Sequence, residues 1–236
     1  MPDPKYTYLL LMLGTLLFPF LLSFDRKVHF YRRWRFLAPS ILIPAVIFII
    51  WDVAFTKRGI WHFNDAFTLG LDIFSLPIEE WLFFLFVPYA CVFVYDVVKY
   101  YFPGINDQTA GRWISYLLLI TGVSLILWRY DNAYTVTTFV ILILTLTAQF
   151  TLPGSAEYLF RFYVAYLICL IPFALVNGIL TSLPVVSYND LENIGFRIYT
   201  IPLEDLFYFM ILFLMNVSIY EYLLKRSAKK GKNVEQ

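Results

Sequence analysis

Charge is scarce in this chain. Of its 236 residues only 15% are Asp, Glu, Lys or Arg, and the net charge is +1. Soluble domains carry about 25% charged residues. A nearly neutral chain has no bulk pull on polyanions, which excludes a nucleic-acid-binding module. Cysteine is almost absent. Cys91 and Cys169 lie in apolar runs and form neither a disulfide framework nor a thiolate metal site. The two histidines, His29 and His62, supply no ligand constellation, so no metal is expected. No Gly-x-Gly-x-x-Gly follows a strand pattern, so no dinucleotide fingerprint is present. What is abundant is apolar surface: 60% hydrophobic and 20% aromatic residues, with a mean hydropathy of +0.69. That is too much to hide in one water-soluble core, which excludes a soluble enzyme and a disordered chain.

A transmembrane helix needs about 20 largely apolar residues. Seven charge-poor runs meet this: Tyr6–Leu22, Phe36–Phe55, Pro77–Tyr101, Trp113–Trp128, Tyr134–Leu152, Phe162–Leu180 and Pro202–Leu224. The first has Lys5 as its only basic flank and no small-residue cleavage site before Asp25, so it is expected to be retained. Seven spans put the termini on opposite sides. Let side B face the connection between the first two spans. Side B then receives Arg26, Lys27, Arg32, Arg33, Arg35, Lys99, Arg112, Arg161, Lys225, Arg226, Lys229, Lys230 and Lys232, which is 13 of the 18 basic residues. Basic residues favour the cytoplasmic face. The expectation is an N-terminus outside and a C-terminus inside the cytoplasmic membrane of a bacterium. The stretch from Lys225 to Gln236 reads as a polar, mobile tail suited to anionic head groups, or as a solvated tail without further role.

The sequence repeats itself at an offset of 125. Asn64-Asp65 aligns with Asn189-Asp190, and Gly70 with Gly195. Leu76-Pro77-Ile78-Glu79-Glu80 aligns with Ile201-Pro202-Leu203-Glu204-Asp205, Phe84 with Phe209, and Tyr95-Asp96 with Tyr220-Glu221. Spans one to three map onto spans five to seven, and span four is a connector. Three spans plus a connector is an even number, so both repeats cross in the same direction, related by an axis along the membrane normal. The expected fold is an all-α integral membrane protein, with two parallel three-helix repeats joined by a connector helix. Its parts are a first repeat at 1–112, a connector and turn at 113–132, a second repeat at 133–225 and the basic tail at 226–236.

Each repeat carries Pro-x-Glu-acid at the start of a long apolar helix. Proline at the first helical position and acids in the first turn are ordinary helix-start chemistry, with Ser75 and Thr200 as candidate capping hydroxyls. Function is the competing explanation. Ionisable groups beside hydrocarbon are costly, and each repeat holds two acids where one would suffice. Aromatics lie four residues on, which is the same helix face: Phe83 and Phe84 after Glu79 and Glu80, Tyr208 and Phe209 after Glu204 and Asp205. Aromatic faces attract cations, by about 0.5–2 kcal/mol each. A carboxylic acid in a dry, aromatic-lined site can protonate an alkene and shelter the carbocation from water.

The segments LPIEEWLFFLFVPYACVFVYD and IPLEDLFYFMILFLMNVSIYE resemble the paired motifs of the membrane-integral lycopene cyclases, whose two related halves occur as separate subunits or fused in one chain. GIWHFNDAFTLG at Gly59–Gly70 resembles the first-half pattern of that family. The resemblance extends from about Phe24 to Leu224. It implies cyclisation of the linear ends of lycopene to β-rings through γ-carotene, a net isomerisation by an intramolecular lyase, with no cofactor. It carries Glu79, Glu80, Glu204 and Asp205 over as the acid/base set, with Glu79 or Glu204 as the favoured proton donor. Asp205, where the first repeat has Glu80, departs from the repeat and makes the halves unequal. Phe83, Phe84, Tyr208, Phe209 and Trp81 are candidates for binding substrate and stabilising the cation. Asn64, Asp65, Asn189 and Asp190 are candidates for orienting the carboxyls, against ordinary turn chemistry. Asp52, beside Trp51, either joins this cluster or marks the membrane interface.

Lycopene and γ-carotene within the bilayer, and membrane lipids, are the expected partners; oligomeric state is not legible. One composite site built by both motifs is expected, since two sites on one side cannot treat both ends of a long symmetric molecule in one pose. A retinal protein is disfavoured because Pro202–Leu224 contains no lysine. A transporter of a small solute or protons is the better rival, since parallel repeats and membrane acids suit it too, but the spans have no Gly/Ser-rich broken segments. A cyclase with another ring or carotenoid specificity, or a purely structural partner, completes the alternatives.

Overall fold

The computed structural model describes residues 3–152 and 154–234. Seven helices are long and apolar enough to cross a membrane: α1 (Thr7–Leu22), α2 (Trp34–Lys57), α3 (Ile78–Tyr101), α4 (Gln108–Trp128), α5 (Ala133–Thr151), α6 (Ala156–Ser182) and α7 (Leu203–Val234). The protein is an all-α integral membrane protein. Two helices, α4 and α6, start five or more residues before their apolar runs do. The Asp107 carboxylate accepts from the amides of Thr109 and Ala110 and caps α4 five residues upstream of Trp113. α6 begins at Ala156 because its charged first turns find partners: Lys225 Nζ lies 2.9 Å from Glu157, and Arg161 reaches the Pro103 carbonyl at 3.4 Å. The tail departs from expectation. α7 continues through it to Val234 instead of ending near Leu224.

Contacts come in pairs related by the repeat. α1 packs on α3 as α5 packs on α7, and α2 packs on α7 as α6 packs on α3. The connector α4 packs on α5 and α6. Gly111 permits the latter approach, since a Cβ there would meet the Phe160 amide nitrogen at 3.0 Å. Short strands cap the end where α3 and α7 begin. β1 (Trp61–Phe63) pairs antiparallel with β4 (Val186–Tyr188), setting Trp61 opposite Tyr188, His62 opposite Ser187 and Phe63 opposite Val186. His62 and Ser187 are 125 apart in sequence, so a local two-fold passes between them. β2 (Asp72–Ile73) and β3 (Leu76–Pro77) form a hairpin into α3, and β5 (Arg197–Ile198) and β6 (Ile201–Pro202) form its counterpart into α7.

The first hairpin turns on Phe74 and Ser75, at φ 54° and 71°, the left-handed pair of a two-residue turn. Ser75 is therefore no helix cap. Pro77 occupies that position without a side-chain hydrogen bond. Thr200 instead bonds the Thr181 hydroxyl at 2.6 Å.

Lipid tails are as apolar as leucine, so helix association here draws on packing and polar matching, not on transfer from water. The buried interior is rich in aromatics, including Phe48, Phe84, Tyr95, Phe139, Phe162 and Tyr220. Leu17, Phe18, Ile50, Leu117, Leu127, Ile171 and Leu175 face outward.

Candidate active site

All four motif acids are buried: Glu79, Glu80, Glu204 and Asp205 are 0, 8, 0 and 5% exposed. They divide into two kinds. Glu79 accepts the Leu69 amide at 2.8 Å, and Glu204 accepts the Ile194 amide at 2.7 Å. Leu69 and Ile194 are 125 apart, so each half uses its first acid to hold the loop that turns at Gly70 or Gly195, both at positive φ. Glu204 also accepts from Thr135 at 2.6 Å. The second oxygen of each has no partner.

Glu80 and Asp205 face the two-fold. They line one cavity of about 60 Å³ together with Tyr8, Asp52, Trp61, Phe83, Tyr134, Phe173, Asn177, Tyr188 and Tyr208. Adjacent residues on a helix point about 100° apart, which separates them from Glu79 and Glu204. Tyr8 donates to Glu80. Asp205 accepts from Tyr134 at 2.6 Å, from Asn177 at 2.8 Å and from Tyr188 at 2.8 Å. Asp52 is 2% exposed, accepts from the Trp61 indole at 2.6 Å, and lines the same small cavity as Glu80. Burial, and then the Asp205 charge, push the Tyr188 phenol well above its usual range, so it stays a donor. Among the described residues no lysine, arginine or histidine lines this cavity.

The walls are aromatic. Tyr208 packs 4.7 Å from Trp51 and 4.8 Å from Phe48, and Trp61 packs 5.1 Å from Tyr134. Phe83, Phe173 and Asn177 also belong to a second space, an apolar groove of about 420 Å³ between α1, α3 and α6. Leu10, Gly14, Phe18, Val87, Pro172 and Phe209 line it.

The remaining sequence candidates lie elsewhere. Phe84 is core packing against Phe48, whereas Phe209 lines the groove and stacks on Phe173 at 4.4 Å. Trp81 is half-buried and reaches the Ile73 carbonyl at the hairpin. Asn64 and Asn189 accept from the amides of Ala66 and Leu191, and neither touches a motif carboxyl. Asp65 is exposed. Asp190 is paired with Arg197, whose guanidinium holds its carboxyl below the usual carboxylate range.

The sequence model of the lycopene cyclase family matches residues 5–98 and 131–223. The chain belongs to the lycopene cyclase family. Over 91 residues it is 32% identical to a bifunctional lycopene cyclase/phytoene synthase of Phycomyces blakesleeanus, a match covering 35% of this chain and 15% of that protein. The chain thus spans a small part of that relative's length. No solved structure matches.

Five side chains of this lycopene cyclase family member were not singled out by motif: Tyr8, Trp61, Tyr134, Asn177 and Tyr188. One signal was present. Asp52 and Asn177 are 125 apart, like Glu80 and Asp205. Tyr8 and Tyr134 are 126 apart, so an exact offset passes over them.

Proposed function

We propose that this protein is a lycopene β-cyclase, converting the linear ends of lycopene to β-rings through γ-carotene. The observation that carries this reading is the meeting of second-position acids from both halves in one cation-free, aromatic-walled cavity that adjoins a lipid-facing groove. Family membership supplies the substrate class. The cavity is too small for a whole chain end. The reacting end therefore sits across the boundary at Phe83 and Phe173, with the polyene lying along the groove from the bilayer.

A carboxylic acid adds its proton to the terminal double bond, forming a new C–H bond and a tertiary cation. The π pair of the neighbouring double bond then forms the ring C–C bond. A carboxylate removes a proton beside the resulting cation and leaves the ring alkene. Atoms balance without a redox partner, and the faces of Trp61 and Tyr208 favour the cationic intermediates. The amide-bonded Glu79 and Glu204 act as struts for the cap. One cavity serves one end at a time, so the second ring follows release and reversal of γ-carotene. The excess of basic residues on the end opposite the cavity supports a cytoplasmic position for that end and the C-terminus.

Expression in a lycopene-accumulating bacterial host, with chromatography of the pigments, tests the activity. γ-Carotene followed by β-carotene is the expected outcome. ε-Ring products would overturn the ring type, and unchanged lycopene with the protein in the membrane would overturn the single-chain cyclase.

A further inference from the structure

We infer that Asp52 and Glu80 share one proton and together form the acid of this cavity, while Asp205 is held ionised as the base. The inference rests on the cyclase reading for its chemistry but on the repeat for its geometry. In the second half Asn177 donates its amide N–H to Asp205. The position equivalent to Asn177 in the first half is Asp52, and the position equivalent to Asp205 is Glu80. A carboxyl can take the donor's place only when it carries a proton, because an ionised carboxylate only accepts. Asp205 differs. Its three donors, Tyr134, Asn177 and Tyr188, satisfy it as an anion.

Among the described residues, the surroundings bring few donors and no cation to the first pair. Asp52 receives one indole N–H, and its second oxygen has no donor. Glu80 receives the Tyr8 hydroxyl. The other titratable groups lining the cavity are Tyr134, Tyr188, Tyr208 and Asp205. None of these brings a positive charge. Two carboxyls lining one small cavity without a cation are served by one proton between them, and the proton belongs to the pair.

In turnover the pair gives this proton to the terminal alkene carbon and becomes doubly ionised. Asp205 accepts the proton lost beside the ring cation and becomes neutral. Return of that proton from Asp205 to the pair, within the one cavity they all line, restores the resting state with no net change.

The test uses the full chain in lipid nanodiscs, read by infrared spectroscopy in H2O and D2O and by lycopene conversion. A protonated carboxylic acid gives a carbonyl stretch that a carboxylate does not. Asp52→Asn and Glu80→Gln each remove one component of that band at neutral pH, and Asp205→Asn leaves it. Asp52→Asn also lowers conversion by about 100-fold or more, the scale of general acid catalysis, and Asp52→Glu recovers it. A band unchanged in Asp52→Asn, or conversion near that of the parent, overturns the inference. If Asp52→Asn does not accumulate in the membrane, Glu80→Gln against Asp205→Asn decides: loss of the component in Asp205→Asn, or its persistence in Glu80→Gln, contradicts the assignment. A parent chain that shows the band pattern but converts no carotenoid would leave the shared proton standing and overturn the cyclase reading alone.

Discussion

At the end of the bundle away from the hairpins, Asp96 and Glu221 are each bonded by the other half's tyrosine. Tyr220 donates to Asp96 at 2.9 Å and Tyr95 to Glu221 at 2.6 Å. Each acid also has a cation, Arg33 for Asp96 and Lys99 for Glu221. At the hairpin end, Asp52, Glu80 and Asp205 are bonded by neutral donors and have no cation among the residues lining their cavity. Both ends pair an acid of each half with a tyrosine. A cation beside an acid favours its carboxylate form, and the other half's tyrosine makes that acid a clamp between halves. Without a cation, the acid can exchange its proton with something else. The tyrosines and acids of the clamp follow the repeat but its cations do not, since Arg33 and Lys99 stand opposite Tyr158 and Leu224; at the cavity the difference falls on the acids' own partners, where Asp52 stands opposite Asn177.

The strongest way to break this comparison is to place a cation in the cavity. Asn177→Lys sets an ammonium beside Asp205 and its neighbours, and should lower lycopene conversion by about 10³-fold while the protein still accumulates in the membrane; quantified pigments against immunodetected protein check it. A second change separates the two kinds of motif acid. Glu79→Gln and Glu204→Gln keep an acceptor for Leu69 and Ile194, so each should cost no more than about tenfold in turnover, well short of the loss of an acid. Steady-state rates of the two purified variants should also match each other, since their roles are related by the repeat.

The clamp should respond in stability and not in chemistry. Tyr95→Phe and Tyr220→Phe each remove one hydrogen bond to a charged acceptor, costing about 1.5–3 kcal/mol in a denaturation series with turnover per folded molecule unchanged. In the groove, a Cβ at Gly14 meets nothing within 4 Å. Gly14→Leu therefore adds apolar bulk without a backbone clash, and should raise KM for lycopene by about tenfold with little change in kcat. The smallest effect belongs to the cap. Asp190 is held below the usual carboxylate range by Arg197, so its contribution is present above that range and fades as pH falls through it. Asp190→Asn should flatten the acid side of the stability profile slightly, because Asp190 is exposed.

Much of this molecule was legible in its sequence. The seven spans follow from hydropathy because hydrocarbon admits few alternatives to a helix. The parallel arrangement follows from the offset and the parity of the connector. The facing of individual carboxyls was not legible. Glu79 and Glu80 are neighbours in sequence, yet one bonds a loop amide and the other lines the cavity, and helix rotation is set by packing that no local pattern records. Asp52 read equally well as an interface marker because its partner Glu80 arrives from another helix. The tyrosines escaped notice for a composition reason: among 18 tyrosines, Tyr8, Tyr134 and Tyr188 carry no local mark.

The central claim is that acids from both halves build a single cavity. The direct measurement compares the parent with Glu80→Gln and with Asp205→Asn in a lycopene-accumulating host, by chromatography of total carotenoids at matched membrane protein. Cyclic products from the parent and lycopene alone from each single variant are predicted. Full cyclisation by either variant, sustained by the intact half, would contradict a shared cavity.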